Sequence, residues 1–282
     1  MRRALALIPA VGLAAALSGT SVLAASPAGA AGSAKSAASA VAHGSPIAVV
    51  KANESENWFG YNQGALEPGK SLFHSITGDW TVPAASQHKK GEDEFSSTWI
   101  GIGGGCIDTA CTAGDSTLIQ TGTEQDVVSG APQYSAWWEI IPAPSVTITN
   151  MTVAPGDHMH ADIRELVANS EVWTITLTNV TRHQTFTQTL PYVSTYATAE
   201  WIEETPLLIG TNAGFAALPN LRRTAFDGGT VNGANPKLTA AEKINLINAN
   251  TGKVYAVPSA PDADTDGGAV CAWATSCATP SS

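Results

Sequence analysis

Positive charge is scarce in this sequence: 14 lysines and arginines stand against 24 aspartates and glutamates, for a formal net charge of −10. A chain without a basic stripe is not built to hold nucleic acid, so that class of partner is excluded. When carboxylates protonate in acid, little positive self-repulsion remains to unfold such a chain, a balance suited to an acidic milieu. Other absences narrow the chemistry. No Gly-x-Ser-x-Gly elbow occurs, and Gly114-Asp115-Ser116 lacks the glycines that shape an oxyanion hole, so it reads as a turn serine. No Asp-Thr-Gly or Asp-Ser-Gly is present, which excludes two aspartates sharing a proton. Cys-x-x-Cys and His-Glu-x-x-His are missing too. The His158-Met159-His160 pair therefore reads as strand histidines rather than metal ligands, and no metal or cofactor is expected. Gly101 to Gly105 lacks the lysine and following helix of a phosphate loop and reads as a strand end and turn.

The chain opens with Met1-Arg2-Arg3, an Ala/Leu/Val run to about Ala25, and Ala28-Gly29-Ala30 as a small-residue cleavage signal. Residues 1–30 thus read as an export signal, and no later apolar run reaches the length a bilayer requires. Residues 31–52, rich in Ala, Ser and Gly, read as a linker or short pro-segment, and 53–282 as one folded domain. The expectation is a secreted, extracellular monomer with no membrane contact in its mature form. Without Arg2, Arg3 and Lys35, and with no acid lost among the first 44 residues, the net charge moves three units, from −10 to −13. Four cysteines in an exported chain favour disulfides, and the close spacings make Cys106 with Cys111 and Cys271 with Cys277 the simplest pairing of the three possible.

From Asn57 onward Thr, Val, Ile, Trp and Tyr recur in short alternating runs broken by Gly, Pro, Asn and Asp. This predicts an all-β fold, a sandwich or barrel, with strands near 75–82, 96–103, 117–123, 133–141, 145–152, 157–166, 171–179, 183–190, 197–203, 222–227, 243–249 and 252–256. The one helical signal, Thr239 with Glu242 three residues on, is a weak capping box and reads as a turn before a strand. A side-chain period of two sorts the residues by face. Trp99, Gly101 and Gly103 share one side of their strand; so do Leu118, Gln120 and Gly122, then Ser135, Trp137, Glu139 and Ile141, and finally Glu200, Ile202 and Glu204. If these sides line one concavity, they make an aromatic-walled groove suited to an extended polymer.

Gln120 and Glu200 each sit in a stretch that reads as buried strand, where an unpaired polar group is costly. A glutamine amide can stabilise a developing oxyanion while its carbonyl holds a water, and a carboxylate of ordinary pKa, about 4.3, can take that water's proton in acid. The same residues also suit structural roles, an amide bridging loops and a solvated strand acid. Two rival functions are a glycoside hydrolase using Glu139 and Glu200 as paired carboxylates, and a catalytically silent carbohydrate- or peptide-binding module.

The order of motifs over most of the chain resembles the glutamic peptidases, or eqolisins: Asn57-Trp58, Trp99-Ile100-Gly101-Ile102-Gly103-Gly104, Leu118-Ile119-Gln120-Thr121-Gly122, Tyr134-Ser135-Ala136-Trp137-Trp138-Glu139 with Pro142, Gly156-Asp157, and Thr198-Ala199-Glu200-Trp201-Ile202-Glu203-Glu204. The resemblance implies a β-sandwich of two bent antiparallel sheets, of concanavalin or jelly-roll type, and a secreted, acid-active endopeptidase acting on proteins or peptides without a cofactor. It implies that Gln120 and Glu200 form the catalytic dyad, with Trp99, Trp137 and Glu139 binding substrate or supporting the dyad. Fungal members carry an aspartate where Gly103 stands and another where Ser135 stands.

Overall fold

Alternating side chains close into strands only where a second surface covers each face, and this chain supplies two such surfaces for one of its sheets. The computed structural model describes residues 40–42, 45–209 and 213–281; the export signal read over 1–30 lies outside them. The principal strands are β1 (Trp58–Gly64), β2 (Ser75–Thr81), β3 (Ser97–Gly103), β4 (Leu118–Val128), β5 (Ala131–Ile140), β6 (His158–Glu165), β7 (Val172–Asn179), β8 (Gln184–Pro191), β9 (Thr198–Glu204), β10 (Thr224–Val231), β11 (Lys243–Ile247), β12 (Val254–Pro258) and β13 (Gly268–Ala272). The first sheet has the order β5-β4-β3-β9-β1, and the second β12-β13-β10-β2-β6-β7-β8, with β11 pairing both β1 and β12 at the seam. All these pairings are antiparallel.

The sheets pack as a sandwich over a core that includes Tyr61, Ile76, Trp80, Ile100, Ile119, Ile175, Trp201 and Phe226. Fully burying an aliphatic or aromatic side chain of this kind is worth ~1.5–3 kcal/mol relative to exposure. The two large indoles also bond across the interface: Trp201 Nε1 donates to the Thr77 carbonyl at 2.9 Å, and Trp80 Nε1 to Thr123 Oγ1 at 3.1 Å. On its other side the first sheet carries a separate apolar cluster of Trp58, Trp99, Leu118, Trp137, Ile202 and Ile244. Hence every residue of β1, β3 and β9 is buried, on whichever side it points.

Both expected disulfides form, Cys106–Cys111 and Cys271–Cys277, which fits an oxidising compartment. Ala240–Glu242 makes a single 3-10 turn with the Thr239/Glu242 capping box, and a strand follows at once, as the sequence indicates. Three strand readings differ. The stretch 145–152 pairs only at Val146–Thr147, because Pro142, Pro144 and the turn at Asn150 leave it no longer partner. β1 and β13 were not expected: Trp58–Gly64 has no alternation, being walled on both faces, and Gly268–Ala272 emerges from an Asp/Gly-rich loop. Among the described residues no helix is long and apolar enough to cross a membrane.

Candidate active site

The in-register pairing of five strands sets side chains in straight rows on the face of the first sheet that looks away from the second. One row runs Asn62–Glu200–Gly101–Gln120–Glu139. The next runs Gly60–Ile202–Trp99–Gly122–Trp137, and a third Trp58–Glu204–Ser97–Glu124–Ser135. Directly opposed residues share a face, so Gln120, Glu200, Trp99, Trp137 and Glu139 all belong to one surface. Asn62 and Trp58 join it from β1. Asn62 could not be found from the sequence because its strand was not legible, although Asn57-Trp58 marks where that strand begins.

Gly101 is the one position in the first row without a side chain, and it separates Glu200 from Gln120. A Cβ there would meet Trp99 Cζ3 at 2.9 Å and Leu118 Cδ1 at 3.1 Å, so the gap between the two polar groups is walled by apolar atoms. Gln120 turns to β5, where its Nε2 donates to Glu139 Oε2 at 2.9 Å, and its Oε1 accepts no hydrogen bond. Glu200 turns the other way, toward Asn62 and the loop after β3. That loop covers it: a Cβ on Gly105 would lie 1.7 Å from Asn62 Oδ1 and 2.7 Å from Glu200 Oε1, so only glycine fits. Asn62 holds the loop in place, accepting from Cys106 N and donating to Cys106 O, both at 2.8 Å, while Gly105 N donates to Thr198 Oγ1 at 3.2 Å.

Gln120 and Glu200 are both 0% exposed, and neither oxygen of Glu200 accepts a hydrogen bond of ordinary geometry. Burial pushes the Glu200 carboxyl well above the usual range; the nearby Thr198 hydroxyl opposes this, and the charge of Asp115 adds to it. Glu139 is pushed up to about 9, first by burial and then by the charge of Glu204, against the hydrogen bond from Gln120. Both carboxyls therefore carry their protons in acid. Trp99 is fixed twice over, by an edge-on contact with Trp58 at 4.9 Å and by Nε1 donating to Glu204 Oε2 at 3.0 Å.

The two departures from the fungal pattern have local explanations. Gly103 has φ +99°, and a Cβ there would strike the Thr117 carbonyl at 2.0 Å, so this loop cannot hold an aspartate in the same place. Ser135 Oγ donates to Glu124 Oε2 across the β4/β5 pair. Glu139 and Glu200, the carboxylates a glycosidase reading would pair, lie three strands from each other, ~14 Å at the backbone, with Glu139 engaged by Gln120 and Glu200 turned toward Asn62.

Elsewhere, His158 Nε2 and His160 Nδ1 both bond Asp79, at 2.8 and 2.9 Å, on the outer face of the second sheet. Asp115 of the Gly-Asp-Ser turn accepts from Thr117 N at 2.9 Å and from the Thr195 hydroxyl, as a loop brace. Asp227, Asp262 and Asp266 bring carboxylate oxygens within 4.8 Å of one another, in an acidic grouping that includes none of the row residues.

The profile of the Peptidase A4 family matches residues 56–266, which include every member of the three rows. The fold is similar to that of scytalido-glutamic peptidase crystallised with a transition state analog inhibitor, at 19% identity and a TM-score of 0.57, covering 78% of this chain and 98% of that one. It is also similar to SCP-B, a member of the eqolisin family in complex with the tripeptide Ala-Ile-His, at 19% identity and a TM-score of 0.53, with the same coverage of 78% and 98%. No curated protein matches the chain in sequence.

Proposed function

This chain belongs to the Peptidase A4 family of glutamic-type peptidases, and from that premise we propose that it is a secreted, acid-active endopeptidase whose dyad is Gln120 and Glu200. The observation that carries the reading is the first row. Its two central polar side chains flank a glycine, and three of their polar atoms, Gln120 Oε1 and both Glu200 oxygens, are buried without a partner. Folded proteins seldom tolerate such atoms without a use for them.

In the proposed cycle a peptide carbonyl approaches Glu200 and Gln120 from the groove side of the sheet. Glu200 takes a proton from the attacking water and later returns it to the leaving amine, while Gln120 donates its amide N–H to the tetrahedral oxyanion. The closed loop over Glu200 keeps that carboxyl protonated. Once the loop lifts and solvent and substrate reach it, its pKa returns toward the ordinary value of about 4.3, where a group can both accept and donate a proton in acid. Glu139 acts as a positioning residue. Being neutral, it holds the Gln120 amide by a hydrogen bond without setting a negative charge beside the developing oxyanion.

The test is cleavage of a denatured protein between pH 3 and 5 with new amino termini counted. Wild type generates them, and Glu200→Ala and Gln120→Ala do not. If both variants cleave at near-normal rates, the dyad is wrong.

A further inference from the structure

We propose that Asn62 is a positioning residue of the active site: it latches the loop between β3 and β4, residues 104–117, shut over Glu200, and release of that latch goes with ionisation of the Glu200 carboxyl. This deepens the proposed peptidase reading and rests on it.

Asparagine is a poor strand former, and a buried amide is tolerated only when hydrogen-bonded. Asn62 nonetheless sits inside β1, 3% exposed and directly opposite Glu200. Both polar atoms of its amide go to one residue of the loop, Oδ1 accepting from Cys106 N and Nδ2 donating to the Cys106 carbonyl, each at 2.8 Å. An amide used in this way fixes one orientation of the loop. Leucine has the size but no polar atoms, and an ionised aspartate accepts but cannot donate. Gly105 and Ile107, on either side of Cys106, are each tied to the rest of the fold by a single bond, from Gly105 N to Thr198 Oγ1 at 3.2 Å and from Leu66 N to the Ile107 carbonyl at 3.0 Å.

The loop is built to move as one piece. Cys106–Cys111 closes it covalently, Ile107 N donates to the Ala113 carbonyl at 3.1 Å, and Asp115 N to the Gly105 carbonyl at 2.8 Å. It leaves β3 through Gly103 and Gly104, at φ +99° and +86°, a backbone that glycine adopts at little cost and from which it can swing. Gly104 to Cys106 are buried, whereas Thr109, Ala110 and Thr112 to Gly114 are exposed, so only the inner end gives up burial when the loop lifts.

Closure and charge oppose each other. The spot that a Gly105 Cβ would fill is bounded by Asn62 Oδ1, 1.7 Å away, and by Glu200 Oε1, 2.7 Å away, so the latch sets an acceptor oxygen beside the carboxyl. Toward Glu200, β3 presents Gly101, with Gln120 of β4 beyond it, and β9 presents the Thr198 hydroxyl; none of these titrates. The charge that acts on Glu200 is that of Asp115, at the far end of the loop, and it too opposes ionisation. Asp108 and Glu242 line a small cavity with Asn62 and Cys106, so the latch sits among acids as well. A latched loop therefore favours the acid form of Glu200, and an ionised Glu200 favours the raised loop, where water reaches it.

The experiment reads loop and carboxyl without turnover. In Asn62→Leu, the amide-exchange protection of Gly105, whose own bond goes to Thr198, should fall about 10- to 100-fold, as for the loss of two hydrogen bonds. The Glu200 pKa, followed by carbon NMR with Glu200→Gln to assign the signal, should drop by about one unit, because a tenfold weaker closure is one pKa unit. The acid limb of kcat/KM should move down with it, whereas a role in stability alone would lower the melting temperature and leave that limb in place. If Asn62→Leu does not fold, Asn62→Asp carries the test: it donates to the Cys106 carbonyl only when protonated, so Gly105 protection should match wild type at pH 3 and fall about tenfold below it at pH 7. Protection that does not fall, or a Glu200 pKa that does not move in Asn62→Leu, overturns the proposal. A protein that cleaves nothing yet shows these shifts sinks the dyad and keeps the latch, while one that cleaves through Glu200 without them does the reverse.

Discussion

Glu165 and Glu200 are both carboxylates withdrawn from water, 8% and 0% exposed, the first closing β6 in one sheet and the second inside β9 in the other, and they are treated in opposite ways. Glu165 is surrounded by donors: His74 Nδ1 at 2.7 Å, Glu171 N at 2.7 Å, Asn169 N at 2.8 Å and the Tyr196 hydroxyl at 2.9 Å. Burial alone would raise its pKa, but these bonds outweigh burial and bring it down to about 2. Glu200 has almost no donors and is pushed the other way. A carboxylate that is fully satisfied is a brace for the loop 166–171. Glu200, with neither oxygen accepting a hydrogen bond, makes no such brace, and the pair shows that burial by itself does not separate the two treatments.

Glu200→Gln should lower kcat by about 10³–10⁴-fold, the upper range for loss of a general acid-base group, while leaving the melting temperature at pH 4 unchanged or higher, since the amide replaces an unsatisfied acid. Activity retained in that variant would make Glu200 a structural acid like Glu165. Gln120→Ala should lose about 10²–10³ in kcat, as for removal of one oxyanion donor, measured on the same substrate.

Glu165→Gln should do the converse. Activity per folded molecule persists, but urea denaturation at pH 6 should show a loss of ~3–5 kcal/mol, as when one partner of a buried pair is removed. The sign follows from linkage. A depressed native pKa stabilises above the unfolded value, about 4.3, and that stability fades as pH falls through about 2. The difference between variant and wild type should therefore shrink at pH 2.

A smaller effect sharpens the contrast within the sandwich. Glu203, on the core side of β9, accepts from Thr98 Oγ1 at 2.6 Å and is pushed up to about 8, by burial first, against the bonds from Thr98, Thr224 and Ser96. Asp126 is likewise raised to about 8 by burial and by the charge of Glu124. Groups with raised native pKa values stabilise fully below about pH 4, and lose that contribution as pH climbs through about 8. Wild type should hence be most stable in acid and weaken steadily toward pH 8. Glu203→Gln should flatten that decline, seen as a smaller spread of urea midpoints between pH 4 and 8.

Much of the site was legible because a period of two is unambiguous once a strand is identified: it put Trp99 with Gly101, Gln120 with Gly122, and Trp137 with Glu139 on common sides, and the observed rows keep those groupings. Register between strands was not legible. Nothing local in the letters tells that Glu200 opposes Gly101, because that match is fixed by packing on both faces. Asn62 was hidden for the same reason, since β1 is buried on both faces and has no alternation to betray its strand character. The disulfide loops were readable from spacing alone, while the short Val146–Thr147 pairing shows propensity yielding to prolines.

A sheet enclosed on both sides also has no harmless misalignment. If β9 slid by one residue, Trp201 would swing into the groove and Glu200 into the apolar interior, so a shifted chain would lose its fold and its chemistry in the same step. Partly working, loosely aligned forms of this protein have nowhere to exist, and selection for turnover doubles as selection for correct strand alignment.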